Sequence, residues 1–353
     1  MNINEILFFS AFLIAVSLML LVDLKVAHKK DHTIKLKEAM IWSVLWIALG
    51  LSFYFVLRYH GNWIHGITNI EGISERIAKF NHPFSINGLS YPDALILYNK
   101  NLGLEYLTGY LIEKSLSVDN IFVMIMIFLS FGVEEKYYHR VLFWGILGAI
   151  VMRFIFIFVS SVLIQTFSWM LVVFGLLLIY MAVKLFLTRN KENKIEPEHH
   201  PVVRFCAKFF SVLPHYEKNK FWLIRDKKFY LTPLFIVLLV IEFSDVIFAF
   251  DSVPAVFSVT QDPYIVFFSN IFAILGLRSL FFIFVIIMKS LTYLKHGLSV
   301  LLFFIGAKMI IAKLGVHIPT SYSLYAILLI LTVSIAASLL FPSKQKADKG
   351  AKS

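Results

Sequence analysis

From Pro233 to about Val259 the chain is almost wholly apolar, yet this run holds Glu242, Asp245 and Asp251 within Ile241-Glu-Phe-Ser-Asp-Val-Ile-Phe-Ala-Phe-Asp-Ser-Val-Pro254. A run of this length and hydropathy fits a membrane-crossing helix, the one open-ended element that satisfies its own backbone in lipid. An ionised carboxylate there is costly without a partner, so three of them point to function rather than to packing. Earlier, Tyr110-Leu-Ile-Glu-Lys-Ser-Leu-Ser-Val-Asp-Asn120 sets Glu113 and Asp119 in an equally apolar context, six residues apart like Asp245 and Asp251. The acidic pattern occurs twice.

With 59% hydrophobic residues, 16% charged and a mean hydropathy of +0.78, a soluble globular domain is excluded and an all-α polytopic membrane protein is expected. Nine candidate spans are read at about 5–24, 38–58, 104–130, 139–162, 166–187, 233–258, 264–288, 297–315 and 322–341. The first lacks a basic lead and a small-residue cleavage pattern, so it reads as a retained helix rather than a signal peptide. The organisation follows as two N-terminal spans (1–58), a non-cytoplasmic loop with at most a short surface helix (59–103), a three-helix unit (104–187), a basic loop (188–232), a second three-helix unit (233–315) and a last span with a basic tail (316–353). The formal charge of +11 collects in 25–37, in 188–232 and after Pro342, which places those segments in the cytoplasm and the N-terminus outside. The basicity is therefore topological: the lipid bilayer is the partner, and nucleic acid is not. The aromatic and basic stretch Arg204 to Trp222 reads as a segment lying on the membrane surface. A single cysteine, Cys206, excludes an intrachain disulfide or a CxxC pair.

More than the acids repeats. Trp144-Gly-Ile-Leu-Gly-Ala-Ile-Val-Met-Arg153 matches Ser269-Asn-Ile-Phe-Ala-Ile-Leu-Gly-Leu-Arg278, and Met181-Ala-Val-Lys184 matches Ile305-Gly-Ala-Lys308. With the assigned topology the two three-helix units run in opposite directions, the inverted repeat of many transporters, whose sites lie at the midplane where the repeats meet. On one helix, Glu113 and Asp119 stand roughly 120° apart and about 9 Å along the axis, so a shared ion needs acids from both units. Glu113, Asp119, Glu242, Asp245 and Asp251 are the candidate metal ligands or proton carriers. Asn120, Ser252 and Asn270 are supporting oxygens, Pro254 is positioned to free the Phe250 carbonyl, and Arg153 and Arg278 read either as bridge or gate residues or as packing residues without a role toward the ligand. Such an all-oxygen set suits Mn²⁺, Ca²⁺ or Mg²⁺ better than Zn²⁺ or Cu⁺. The competing reading is that the acids merely neutralise Arg153 and Arg278 in buried bridges. Lys184 and Lys308, near helix ends, are expected to snorkel to the interface. Asp23, His28 and His32 read as solvated turn residues.

Glu113-Lys-Ser-Leu-Ser-Val-Asp-Asn120, His139-Arg-Val-Leu-Phe-Trp-Gly-Ile-Leu-Gly148, Glu242 to Pro254 and Ser269 to Arg278 together resemble the TerC family, in its long Alx-type branch, from Asp23 to about Lys313. Phe250 and Val253 depart mildly from that pattern. The resemblance implies a bacterial inner-membrane protein linked to manganese export and to metal or tellurite resistance. Residues and resemblance together give a non-enzymatic exporter of divalent cations, Mn²⁺ first, exchanged against protons, with no cofactor beyond the transported ion; no GxxxxGK[ST] motif is present to power it. The alternatives are a stress or redox modulator, or a tellurium-resistance scaffold, without transport; an intramembrane aspartyl protease is disfavoured because no Gly-x-Gly-Asp sequence occurs. Reporters fused within 188–232 and after Pro342 are expected to register the cytoplasm, and one within 59–103 the opposite side; a non-cytoplasmic 188–232 would remove the inverted arrangement.

Overall fold

The computed structural model describes residues 3–27, 36–167, 169–188, 201–213, 217, 220–225, 228–287, 294–314 and 318–340. The helices in chain order are α1 (Ile3–Ala27), α2 (Leu36–His60), α3 (Ile70–Phe80), α4 (Tyr91–Ser130), α5 (Glu135–Thr166), α6 (Met170–Thr188), α7 (Pro201–Phe209), α8 (Pro233–Phe257), α9 (Pro263–Leu275), α10 (Leu277–Ile287), α11 (Leu294–Lys313) and α12 (Thr320–Leu340). The protein is an all-α polytopic membrane protein with one small exception. β1 (Ser211–Val212), β2 (Trp222–Arg225) and β3 (Lys228–Leu231) form a sheet of order β1-β3-β2 in the 188–232 segment, β1 parallel and β2 antiparallel to β3. The sequence reading placed no strand there.

By length and composition, six described helices can cross a membrane: α1, α2, α5, α6, α8 and α12. A seventh forms if α9 and α10, which meet at a 42° bend, count as one span. The other two of the nine expected spans are helical but fall short, each for a physical reason. The apolar part of α11 extends only from His296 to Ala312. α4 carries Glu105, Glu113, Lys114 and Asp119, the same charges that make it interesting. α4 also starts well before residue 104. At 40 residues it is roughly 60 Å long, about twice the hydrocarbon thickness. Ser90 caps its start by accepting from Asp93 N–H, and Pro92 fits the first turn. The added turns belong to a cap built from 61–103, in which Asn99 Oδ1 accepts from Asn62 N–H at 2.8 Å.

The expected loop at 59–103 is thus a folded cap, pinned by buried charge. Both ring nitrogens of His65 face carboxylates, Nδ1 to Glu5 Oε1 at 3.0 Å and Nε2 to Asp262 Oδ2 at 2.8 Å, and Arg76 reaches the same Glu5 oxygen at 3.1 Å. His82 Nδ1 meets Glu105 Oε1 at 2.7 Å. The cluster ties the start of α1, the cap, α4 and the N-cap of α9 together. Beneath it Phe9 and Phe12 of α1 stack among Phe267 and Phe268 of α9, with Phe12 and Phe268 ring centres 4.4 Å apart.

α6 and α11 pack closely through small residues. A Cβ at Gly306 would stand 2.7 Å from the Gly175 carbonyl oxygen, and one at Gly175 2.9 Å from that of Gly306. Further along the pair Ser299 Oγ donates to the Ala182 carbonyl at 2.7 Å. The register shift that carries Lys184 onto Lys308 also carries Gly175 onto Ser299 and Ala182 onto Gly306. In that register the two contacts correspond to each other.

Burial disfavours a charged ring at His65 and His82, but Asp262 and Glu5 on the one and Glu105 on the other outweigh it and hold both above the usual 6.5. Burial pushes Asp262 up, but His65 and His82 outweigh this and hold it low. A raised histidine contributes stability fully below about 6.5 and loses it as pH rises through the folded value; a depressed carboxylate loses its contribution only in acid. The melting temperature of the detergent-solubilised protein should therefore fall as pH is raised from near 6 into the alkaline range, and less so in His65→Gln/His82→Gln. An equal pH dependence in that variant would remove the cap histidines from the account.

Candidate functional site

Arg153 lies at the middle of α5 and is fully buried. A guanidinium at that depth needs acceptors for its planar fork of donors, and three helices supply them. Nη2 and Nε donate to Asp245 Oδ1 and Oδ2 of α8 at 3.1 and 3.3 Å. Nη1 donates to Glu113 Oε1 of α4 and to Asn270 Oδ1 of α9, with Ser252 Oγ at 3.5 Å. Asn270 Nδ2 closes the ring by donating to Glu113 Oε2 at 3.1 Å.

Of the sequence candidates, Glu113, Asp245, Arg153, Asn270 and Ser252 thus meet in one cluster, with acids from both halves of the chain on one guanidinium. For Glu113 and Asp245 the bridge reading also holds in this state, because Arg153 sits between them. Glu242, one turn before Asp245, stays outside the cluster. It is half-buried and takes no hydrogen bond or ion pair among the described residues. Its carboxylate lies flat on Gly148 of α5, where a Cβ would stand 2.0 Å from Oε1. Asp251 is half-buried further along α8. The side chain of Asp119 lies outside the described residues, as do His28, His32 and the side chain of Asp23. Asn120 is buried on α4, and its Nδ2 and the Oγ of nearby Ser117 find no partner among the described residues. Arg278 is buried on α10. α8 continues as helix through Pro254. Among the described residues no group of three His, Cys, Asp or Glu side chains forms a ready metal shell.

Sequence reasoning missed two site residues. Lys114 Nζ donates to the Ala273 carbonyl at 3.1 Å, which caps the end of α9 where the bend at Gly276 frees it. A Cβ at Gly276 would meet that ammonium at 2.9 Å. The signal was a lysine beside Glu113 and a glycine inside an apolar run. Gly148 was the other, legible only once α5 and α8 were seen to pack together.

The sequence from residue 98 to residue 347, which contains every residue of this cluster, matches the integral membrane protein TerC family. The chain belongs to the TerC family. This TerC protein is 42% identical over 332 residues to an uncharacterized membrane protein of Myxococcus xanthus, covering 94% of this chain and 91% of that one. It is 38% identical over 329 residues to a protein of Escherichia coli K12 named membrane-bound redox modulator Alx (93% and 92% covered), and 36% identical over 349 residues to one of the same name from Photorhabdus laumondii (99% of each). No solved structure matches it.

Carbodiimides activate the carboxyl groups they can reach, and Glu242 lies outside the contacts that enclose Glu113 and Asp245 on Arg153. A membrane-soluble carbodiimide is therefore expected to label Glu242 ahead of Glu113 and Asp245, read by peptide mass spectrometry. Preferential labelling of Asp245 would mean that Arg153 does not hold it in the membrane.

Proposed function

We propose that this TerC protein exports a divalent cation, manganese first, in exchange for protons, with Arg153 as a tethered cation that fills the site when the ion is absent. The observation that carries the reading is the fully buried guanidinium at the middle of α5, held by carboxylates of two helices and an amide of a third. A place that holds one cation on oxygens from α4, α8 and α9 has the charge and donor set to hold another. Arg153, Glu113 and Asp245 sum to one negative charge, so a divalent ion that displaces the guanidinium leaves the two carboxylates neutralised. Oxygen donors from Asn270 and Ser252, and the buried Asn120, extend a shell suited to a hard ion. Asp119 and Asp251 continue the ligand path along α4 and α8, with Arg278 as its second gate. Glu242, without a counter-ion, takes the proton that balances the exchange.

The relatives' name favours a second reading, redox modulation, but the only cysteine in the sequence speaks against thiol chemistry. Cys206 is buried on α7, and burial pushes its thiol up, away from the reactive thiolate. The orientation we propose has the N-terminus outside and the C-terminus in the cytoplasm of a bacterial inner membrane, following the basic segments.

The test is Mn²⁺ flux in proteoliposomes. Asp245→Asn leaves Arg153 paired with Glu113 as a neutral couple, so folding survives; flux is expected to fall about tenfold or more, since one charge of a buried pair is gone. Undiminished flux at equal protein level would sink the ligand assignment.

A further inference from the structure

We propose that the cavity beneath the cap is a binding site for a multi-oxygen anion, phosphate-like or polycarboxylate, separate from the cation site. The cavity has a volume of about 690 Å³ and opens between the end of α3, the end of α5, the start of α6, the α8–α9 turn and α11. Among its lining residues are Lys79, Lys308, Asn81, Gln165, Ser258 and Gln261, and no Asp or Glu.

Lys308 is the decisive residue. It was expected to snorkel, but it is 7% exposed and lines the cavity. No hydrogen bond or ion pair to a described residue holds it, so its three ammonium donors are open to the cavity. The acid that acts on it, Glu105, meets His82 and the Asn101 amide through Oε1, while its Oε2 is buried without a hydrogen-bond partner among the described residues. Exposed Lys79, in the last turn of α3, brings a second positive charge to the rim. The amide of Gln261 adds a neutral donor and acceptor.

Two ammonium groups without a lining carboxylate repel a divalent cation, so the cavity is not a resting place for the exported ion. Its size exceeds that of a bare halide and lies within the roughly 300–1,000 Å³ of ordinary ligand pockets. Lysines bind phosphate as point charges, without a fixed planar geometry. The ligand class is therefore an anion with several oxygens, supplied either by a free solute on the cap side or by a phospholipid headgroup of that leaflet.

The experiment uses the full-length protein. In neutral detergent it is titrated calorimetrically with inorganic phosphate and with citrate. In parallel it is equilibrated with phosphatidylglycerol or phosphatidylcholine and examined by native mass spectrometry. Saturable binding of a free anion, or retention of phosphatidylglycerol over phosphatidylcholine, supports the site and names its source. Lys308→Gln is expected to weaken the binding by tenfold or more, and Lys79→Gln, an exposed position that leaves the fold intact, by severalfold. Binding of neither the anions nor phosphatidylglycerol overturns the proposal, as does binding that Lys79→Gln and the Lys79→Gln/Lys308→Gln double variant leave unchanged.

Discussion

The charge balance around Arg153 is the constraint on which the rest of the helix packing depends. A guanidinium taken out of water is expensive, and its cost is offset only where several well-placed acceptors surround it. Glu113, Asp245 and Asn270 do so from three separate helices, so α4, α8 and α9 must all approach α5 at one depth. Small residues make the approach possible. A Cβ at Gly109 of α4 would come within 3.0 Å of Ser269 Oγ on α9, and one at Gly145 of α5 within 3.4 Å of Ile241 on α8. Glycines at such crossings let backbones come close where lipid supplies no hydrophobic drive between helices.

α9 is the element through which this centre reaches the rest of the molecule. Its first residue follows Asp262, which accepts from Tyr264 N–H at 2.9 Å and is locked onto His65 of the cap. Its middle gives Asn270 to the cluster, and its last turn is capped by Lys114. The helix is thus held by charge at both ends and at its centre, and the bend at Gly276 separates it from α10. Any displacement of α9 has to disturb the Arg153 cluster and at least one of its end contacts. A broken helix whose freed carbonyl is met by a half-buried lysine, one residue from a site acid, is the kind of irregular backbone that membrane proteins tolerate only inside the protein.

What was legible in the sequence was the chemistry that lipid makes costly. Glu113, Asp245 and Arg153 stood out because an apolar helix gives ionised groups no ordinary reason to be there. The helical class followed from the same hydropathy. What was not legible depended on where surfaces meet. The cap at 61–103 read as loop because its stability comes from Glu5, His65, Asp262, His82 and Glu105, residues spread from one end of the chain to the other. The early start of α4 was hidden because its first turns pack on that cap rather than on lipid. Gly148 and Gly276 look like any glycine in an apolar run until a carboxylate or an ammonium is found against them. The small sheet around Tyr230 was masked by a composition equally suited to a membrane-surface segment.

The two lysines that the repeat makes equivalent show how one pattern yields two environments. Lys184 is exposed on α6, while Lys308 is buried on α11. The helices that carry them cross through mirrored contacts of small residues, so the helix pair itself treats the two positions alike. The difference comes from what covers each end. The 61–103 segment has no counterpart in the second half of the chain, and the cavity at Lys308 has Lys79, Asn81 and Pro83 of that segment among its walls. A long apolar stem would ordinarily carry an ammonium to the interface. Beneath a folded cap that route ends in a partly open cavity, and the same residue type becomes part of its wall.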